Sequence, residues 1–218
     1  MSAILNNPIV KSILKNAQSR TYTKGQIILY PNDTSSMLFI IKEGAVLMGD
    51  VDDNGNQKIL HILGPDTLFP MVSFTSNAAS SGWFYTTHTD TTLYLIPYSK
   101  FKEKLEKADN PSAYNDLLKQ LLDEVHELLT RLANYTKTKS HTKLKAALRF
   151  LAVHHSTQRG GWKKVNFPVS HQLLADMTGL TRETVTLTLK DFQKARAIKY
   201  SAPSWVEIQE KKLTQLEV

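Results

Sequence analysis

The chain of 218 residues contains no cysteine. That excludes disulfides, thiol nucleophiles and cysteine-ligated iron–sulfur clusters, and it agrees with a cytoplasmic location. No run approaches the roughly 18 consecutive apolar residues of a membrane helix, so no membrane partner is expected. The N-terminus, Met-Ser-Ala-Ile-Leu-Asn-Asn-Pro, lacks the basic-then-apolar pattern of a signal peptide. No His-x-His pair occurs anywhere, which removes the ligand set a small β-barrel metalloenzyme would use. A non-enzyme with no metal site and no required cofactor is therefore expected. Residues 59–99 hold neither lysine nor arginine, so an anionic ligand bound there would find no side-chain cation.

The charge that is present is unevenly placed. Residues 1–136 carry 12 basic against 14 acidic side chains, whereas residues 137–218 carry 15 against 6. A basic C-terminal part beside a near-neutral remainder suits a protein that displaces counterions from nucleic-acid phosphates. Aromatic stacking platforms, which an RNA reader would want on its basic face, are lacking from the stretch that organises this part.

That stretch runs from Ser170 to Gln193, S-H-Q-L-L-A-D-M-T-G-L-T-R-E-T-V-T-L-T-L-K-D-F-Q. Ser170 is placed to cap one short helix with Leu173, Leu174 and Met177 on its buried side. Ala175 is small enough to let a second helix cross closely, and Gly179 supplies the positive φ that ends the first. Thr181 caps the second helix, with Val185 and Leu189 facing inward and Arg182, Glu183 and Thr186 outward at its N-terminal end. This is the layout of a helix-turn-helix, whose second helix offers its N-terminal residues to base edges in the major groove. Arginine can pair twice with guanine and glutamate can accept from the cytosine amino group. Ser170, Thr181, Lys163, Lys164 and Lys190 are the candidates for contact with phosphates.

Upstream, residues 8–17 read as a short amphipathic helix starting at Pro8. From Arg20 to Pro97 short β-rich runs alternate with turn residues, Asp53-Asn54-Gly55 being the clearest hairpin turn, as expected of an antiparallel sandwich or barrel. Residues 98–107 form a short helix and a longer one follows to about Thr136. In it Leu118, Leu121, Val125, Leu128 and Leu132 recur at alternating steps of 3 and 4, with Leu117, Leu122 and Leu129 widening the stripe. Such a seam suits a helix packed on its own domain, or more often one paired with a second copy of itself, and a twofold dimer would match a palindromic operator. Residues 139–157 read as a further helix ended by Gly160-Gly161. β patterns then flank the two-helix unit at Trp162–Val169 and Ala197–Gln209, giving it a wing, while the tail after Lys211 has little to hold it.

An N-terminal roll, a long dimer helix and a C-terminal winged helix-turn-helix, in that order, resemble the CRP/FNR family of bacterial transcription regulators. The likeness covers nearly the whole chain and is strongest at L-F-I-I-K-E-G-A-V (38–46) and T-G-L-T-R-E-T-V (178–185). It implies an α+β fold: an antiparallel β-roll of the cyclic-nucleotide-binding jelly-roll type over 1–108, a dimerisation helix over 109–137, and a winged helix-turn-helix over 138–218. It further implies a homodimer on double-stranded DNA with RNA polymerase as a partner, and base reading by the residues that match Arg182 and Glu183. A third base-reading position, often arginine in the family, is Leu187 here.

Members that bind a cyclic nucleotide resemble one another in a segment with Gly-Glu for the ribose and Arg-Ser or Arg-Thr for the phosphate. The corresponding stretch here, residues 67–85, has no glutamate and no arginine. An uncompensated buried anion costs several kcal/mol, so cyclic AMP bound in the family's usual manner is not expected. A small or apolar effector, haem, or no effector at all remain open, with Trp83, Phe84 and Tyr85 marking where an effector would sit. His61, His88 and His126 are the candidate haem ligands, although a lone histidine on a strand also reads as a hydrogen-bonded core residue. His154 and His155 are adjacent on a helix and so point about 100° apart.

Overall fold

The computed structural model describes residues 4–53, 55–70, 81–108, 110–201 and 204–216. They fall into two compact units, one drawn from residues 1–50 and 60–128, the other from 51–59 and 129–218. The central part of the expected effector stretch, 71–80, lies outside the described residues.

The first unit opens with helix α1, Pro8–Leu14. Asn7 caps it by accepting from the Ile9 and Val10 amides, and its Nδ2 donates to the Ala113 carbonyl at 2.8 Å. Eight strands follow among the described residues: β1 Gln18–Tyr22, β2 Ile27–Leu29, β3 Met37–Glu43, β4 Val46–Val51, β5 Gln57–Leu63, β6 Leu68–Phe69, β7 Phe84–Thr87 and β8 Thr91–Pro97. They make two four-stranded sheets, ordered β1-β8-β3-β6 and β2-β7-β4-β5. The pairs β1/β8, β3/β6, β3/β8, β2/β7 and β4/β7 are all antiparallel.

Strand β3 shows why one apolar run holds the roll together. Successive side chains leave opposite faces of a strand. Leu38 and Ile40 accordingly join Val10, Ile96 and Phe101, while Phe39 and Ile41 join Val46, Phe69, Tyr85 and Leu93. Gly44 then turns the chain at φ +98, where a Cβ would stand 2.6 Å from the Asp90 carbonyl oxygen, so only glycine fits. Helices α2 (Tyr98–Glu106) and α3 (Pro111–Tyr135) close the unit.

Helix α3 exposes an apolar line whose phase differs from that of the expected seam. Ala113 and Leu117 are buried among α1 and α2, and Leu128 packs on the cluster around Phe69 and Tyr85. The exposed apolar line is instead Leu118, Leu122, Val125, Leu129 and Leu132, with Leu122 60% and Leu129 59% exposed. Leu121 is half-buried.

The second unit takes in the last turns of α3, from residue 129 onward. Arg131 is buried, its guanidinium 4.5 Å from the centre of the Phe150 ring and its Nη2 donating to the Ile59 carbonyl at 3.2 Å. The Tyr135 hydroxyl lies within donating distance of two carbonyls, Ile59 at 2.9 Å and Asp176 at 3.2 Å. Helix α4 spans Ser140–His154, shorter than the sequence reading, because residues 156–159 leave it as a strand. Strand β9, Ser156–Arg159, pairs back on β10, Trp162–Val165, so Gly160 and Gly161 (φ +52 and +81) form a hairpin turn and not a helix end.

Helices α5 (His171–Thr178) and α6 (Arg182–Lys194) follow, then β11 (Ile198–Ser201) and β12 (Trp205–Ile208), completing a sheet ordered β11-β12-β10-β9. The tail is also corrected. Residues Glu210–Gln215 form α7, Leu213 is fully buried, and Lys145 Nζ donates to the Thr214 and Leu216 carbonyls at 2.9 and 2.7 Å. Those carbonyls belong to a helix C-terminus, where a cation is favourably placed.

Candidate nucleic-acid interface

Each expected device of the two-helix unit can be located. The Ser170 hydroxyl accepts from the Leu173 amide at 3.0 Å, Gly179 adopts φ +65 with its amide on the Ala175 carbonyl, and the Thr181 hydroxyl accepts from the Thr184 amide at 3.2 Å. Both capping oxygens thus already serve α5 and α6. Val185, Leu189 and Phe192 are buried, whereas Arg182, Glu183 and Lys190 are exposed. Leu187 is 62% exposed on the same surface, an apolar side chain facing outward from the reader.

Thr186 is less free than its neighbours. Its hydroxyl donates to the Arg182 carbonyl at 2.8 Å and lies 2.8 Å from Nδ1 of His171. With the hydroxyl proton on the Arg182 carbonyl, the imidazole nitrogen is the donor to Thr186 and the neutral ring is the Nδ1–H tautomer. What Thr186 can still offer a base is its methyl group and one lone pair. His171 was not singled out in the sequence, since its partner lies 15 residues away on another helix. Its ring also makes a T-shaped contact with Tyr200, with centres 5.6 Å apart. Burial holds its pKa below the ordinary value, and the nearby Arg182 adds to the effect.

The lysines divide by partner. Lys163 Nζ is 2.7 Å from Glu210 at the start of α7, so a phosphate would have to compete with a carboxylate for it. Lys164 and Lys199 rest their ammonium groups over Trp205 and Trp162, at 4.6 and 3.9 Å from the ring centres. Lys199 escaped the sequence reading because a single lysine on a strand gives no pattern.

In the first unit, Trp83 and Tyr85 reach one cluster, where Tyr85 stacks on Phe69 with ring centres 5.0 Å apart. Phe84 is also buried but does not belong to that cluster, as strand alternation requires. The expected trio is therefore divided between faces. Glu124 sits one turn before Leu128 on the inward side of α3. Burial pushes its carboxyl up to about 7, with Glu127 adding to the effect. Its charge in turn adds to the burial that raises the Tyr85 phenol. His61 is buried, and among the described residues no three His, Asp or Glu side chains converge as a metal site would require.

A roll carrying a helix-turn-helix unit defines a transcription regulator with a DNA-binding domain of that type. Residues 19–108 match the family model of a cyclic nucleotide-binding domain, and residues 143–216 that of a Crp-like helix-turn-helix domain. The chain belongs to the CRP/FNR family of transcription regulators. It is 26% identical over 184 residues to the CRP-like cAMP-activated global transcriptional regulator of Mycobacterium tuberculosis, covering 84% of this chain and 80% of that one. With the global nitrogen regulator of Synechococcus elongatus it shares 21% identity, covering 83% and 81%. Solved structures with the same fold include FixK2 from Bradyrhizobium japonicum, at TM-score 0.79, 16% identity and coverage of 93% and 98%. A CooA mutant from Carboxydothermus hydrogenoformans matches at TM-score 0.76 and 21% identity, covering 98% and 94%. No helix among the described residues is long and apolar enough to cross a membrane.

Proposed function

We propose that the chain is a cytoplasmic, non-enzymatic regulator that binds a palindromic operator as a homodimer and does not depend on cyclic AMP. The observation that carries the DNA-reading role is the exposed N-terminal end of α6, where Arg182, Glu183 and Leu187 project from a helix fixed by Thr181 and by its buried face. Arg182 pairs with guanine, Glu183 accepts from cytosine, and Leu187 with the Thr186 methyl suits a thymine methyl group. Ser170, Thr181, Lys164 and Lys190 approach phosphates, with Lys163 available only by leaving Glu210.

Dimerisation is supported by the uncovered line Leu118, Leu122, Val125, Leu129, Leu132, which keeps the heptad spacing of a paired helix. The functional division is then a roll over 1–108, the dimer helix over 109–137 and the reader over 138–218. RNA polymerase is the further partner that this class of protein implies. Independence from cyclic AMP is supported by the absence of lysine and arginine across 59–99 and by the half-buried Glu124, a second obstacle to an anion. That same carboxyl favours a second reading, in which the roll senses a neutral or cationic small molecule and the DNA-binding mode is unchanged.

The test is selection of bound DNA from a random-sequence pool by the purified full chain with no ligand added. An enriched palindrome with half-sites about one helical turn apart is expected. Enrichment of isolated half-sites would refute the dimer, and enrichment that appears only with added cyclic AMP would refute effector independence.

A further inference from the structure

The imidazole of His171 connects the two helices of the reader through a chain of defined polarity. Its Nδ1–H donates to the Thr186 hydroxyl, and that hydroxyl donates to the carbonyl of Arg182, each at 2.8 Å. Arg182 is the first residue of α6, so the chain ends on the backbone of a base-reading residue. The second ring nitrogen, Nε2, has no protein partner among the described residues, and the ring itself is half-buried. In the neutral ring Nε2 is a lone-pair acceptor. Protonation turns it into a donor and leaves Nδ1–H on Thr186 undisturbed.

Burial, and after it a neighbouring charge, disfavour a proton on this ring in the free protein. Arg182 on α6 opposes a second positive charge, and Tyr200 on β11 packs against the ring in a T-shaped pair. The neighbouring Lys199 has its amine over Trp162, and on α5 the Asp176 carboxylate is taken by Gln172 Nε2 at 2.7 Å. A DNA duplex changes this balance, because its phosphates favour a cation at the interface. Cation-stabilising charge raises the pKa of an imidazole, and a pKa that differs between free and bound states makes binding pH-dependent.

We propose that His171 is a positioning residue of the reader that holds Thr186 and Arg182 through Nδ1 and takes up a proton at Nε2 when DNA phosphate arrives. The proposal rests on the DNA-reading assignment above. No covalent step is involved; one proton moves from solvent to Nε2 on binding. The sign follows from the lowered pKa of the free state. Below both pKa values the ring is already charged and affinity is highest. As pH rises through the free-state and then the bound-state value, binding must recruit the proton and weakens.

The test measures binding of the full chain to its selected operator duplex by fluorescence anisotropy at pH 6, 7 and 8, at fixed ionic strength. Wild type is expected to lose about tenfold in Kd from pH 6 to pH 8. His171→Asn keeps an N–H donor near the Nδ1 position but cannot titrate. It should bind within about threefold of wild type at pH 8, with a flat profile. His141, which lies 3.4 Å from Asp191 on α6, is retained in that variant and serves as the internal control for other histidines. ¹⁵N spectra of wild type at pH 7 should show the Nδ1–H tautomer when free and both nitrogens protonated in the complex. A flat wild-type profile with specific binding intact, or an unchanged slope in His171→Asn, would overturn the proposal alone. Absence of specific binding at every pH would overturn the DNA-reading assignment beneath it.

Discussion

Replacing Glu124 by glutamine should favour the folded first unit more at high pH than at low pH. The carboxyl is held at about 7 against an ordinary 4.5, chiefly because burial disfavours its charge. Each tenfold change in acid dissociation is worth about 1.4 kcal/mol, so the folded chain gives up roughly 3 kcal/mol between these limits. The sign runs opposite to that of a salt-bridged acid. Below pH 4.5 both folded and unfolded chains are protonated and nothing is lost. Between 4.5 and about 7 the unfolded chain releases a proton that the fold retains, so stability falls with rising pH, and the loss is complete above about 7. Glutamine carries no such charge. Its amide adds a pH-independent offset, so the quantity to read is the change in the variant's advantage between pH 4 and pH 8. Urea denaturation followed through Trp83, the one tryptophan of that unit, in a background with Trp162 and Trp205 replaced by phenylalanine, gives this difference. An advantage equal at both pH values, or a Glu124 carboxyl that titrates near 4.5 in ¹³C spectra, would refute the reasoning.

Arg182→Ala should cost about 1–3 kcal/mol and relax preference at one base pair of each half-site, measured by repeating the DNA selection; uniform weakening on all sequences would contradict its base-reading role. Replacing thymine by deoxyuridine opposite Leu187 removes one methyl group and should weaken binding by about 0.8 kcal/mol, roughly fourfold in Kd. Leu187→Ala should abolish that difference. Leu122→Lys with Leu129→Lys should give monomers on sedimentation and lower operator affinity by about a hundredfold or more, since the second half-site no longer benefits from linkage; intact dimers would refute the seam.

The reader was legible because its devices are local. Ser170, Gly179 and Thr181 each act on residues within four positions, and such spacing can be read along a chain. The exposed apolar line of α3 was legible in period but not in phase. Leucine occupies both 121 and 122 and both 128 and 129, so two parallel stripes satisfy the same spacing, and the roll's core decides between them by taking Leu128. The end of α4 was misplaced because His155-Ser156-Thr157 contains no helix breaker. The decisive feature is the Gly160-Gly161 turn, which aligns β9 with β10. Helix α7 gave little sign of itself, since Leu213 is its single buried side chain and its clamp, Lys145, lies 69 residues earlier than the carbonyl of Thr214 that it binds. The His171–Thr186 contact belongs to the same class: no periodicity announces it, only the crossing of two helices.

The Tyr135 hydroxyl has one proton and two carbonyl oxygens within reach, Ile59 at 2.9 Å and Asp176 at 3.2 Å. One of these lies in the 51–59 segment and the other on α5, the first helix of the reader. When the proton rests on Ile59, that oxygen accepts from Arg131 and Tyr135 together and both its lone pairs are used, while the Asp176 oxygen waits. When it turns to Asp176, Arg131 still donates to the Ile59 oxygen. Both arrangements keep a donor on the Ile59 carbonyl, so the last turn of α3 can exchange one partner for the other without stranding that acceptor. Phenylalanine at 135 would keep the ring and remove that choice.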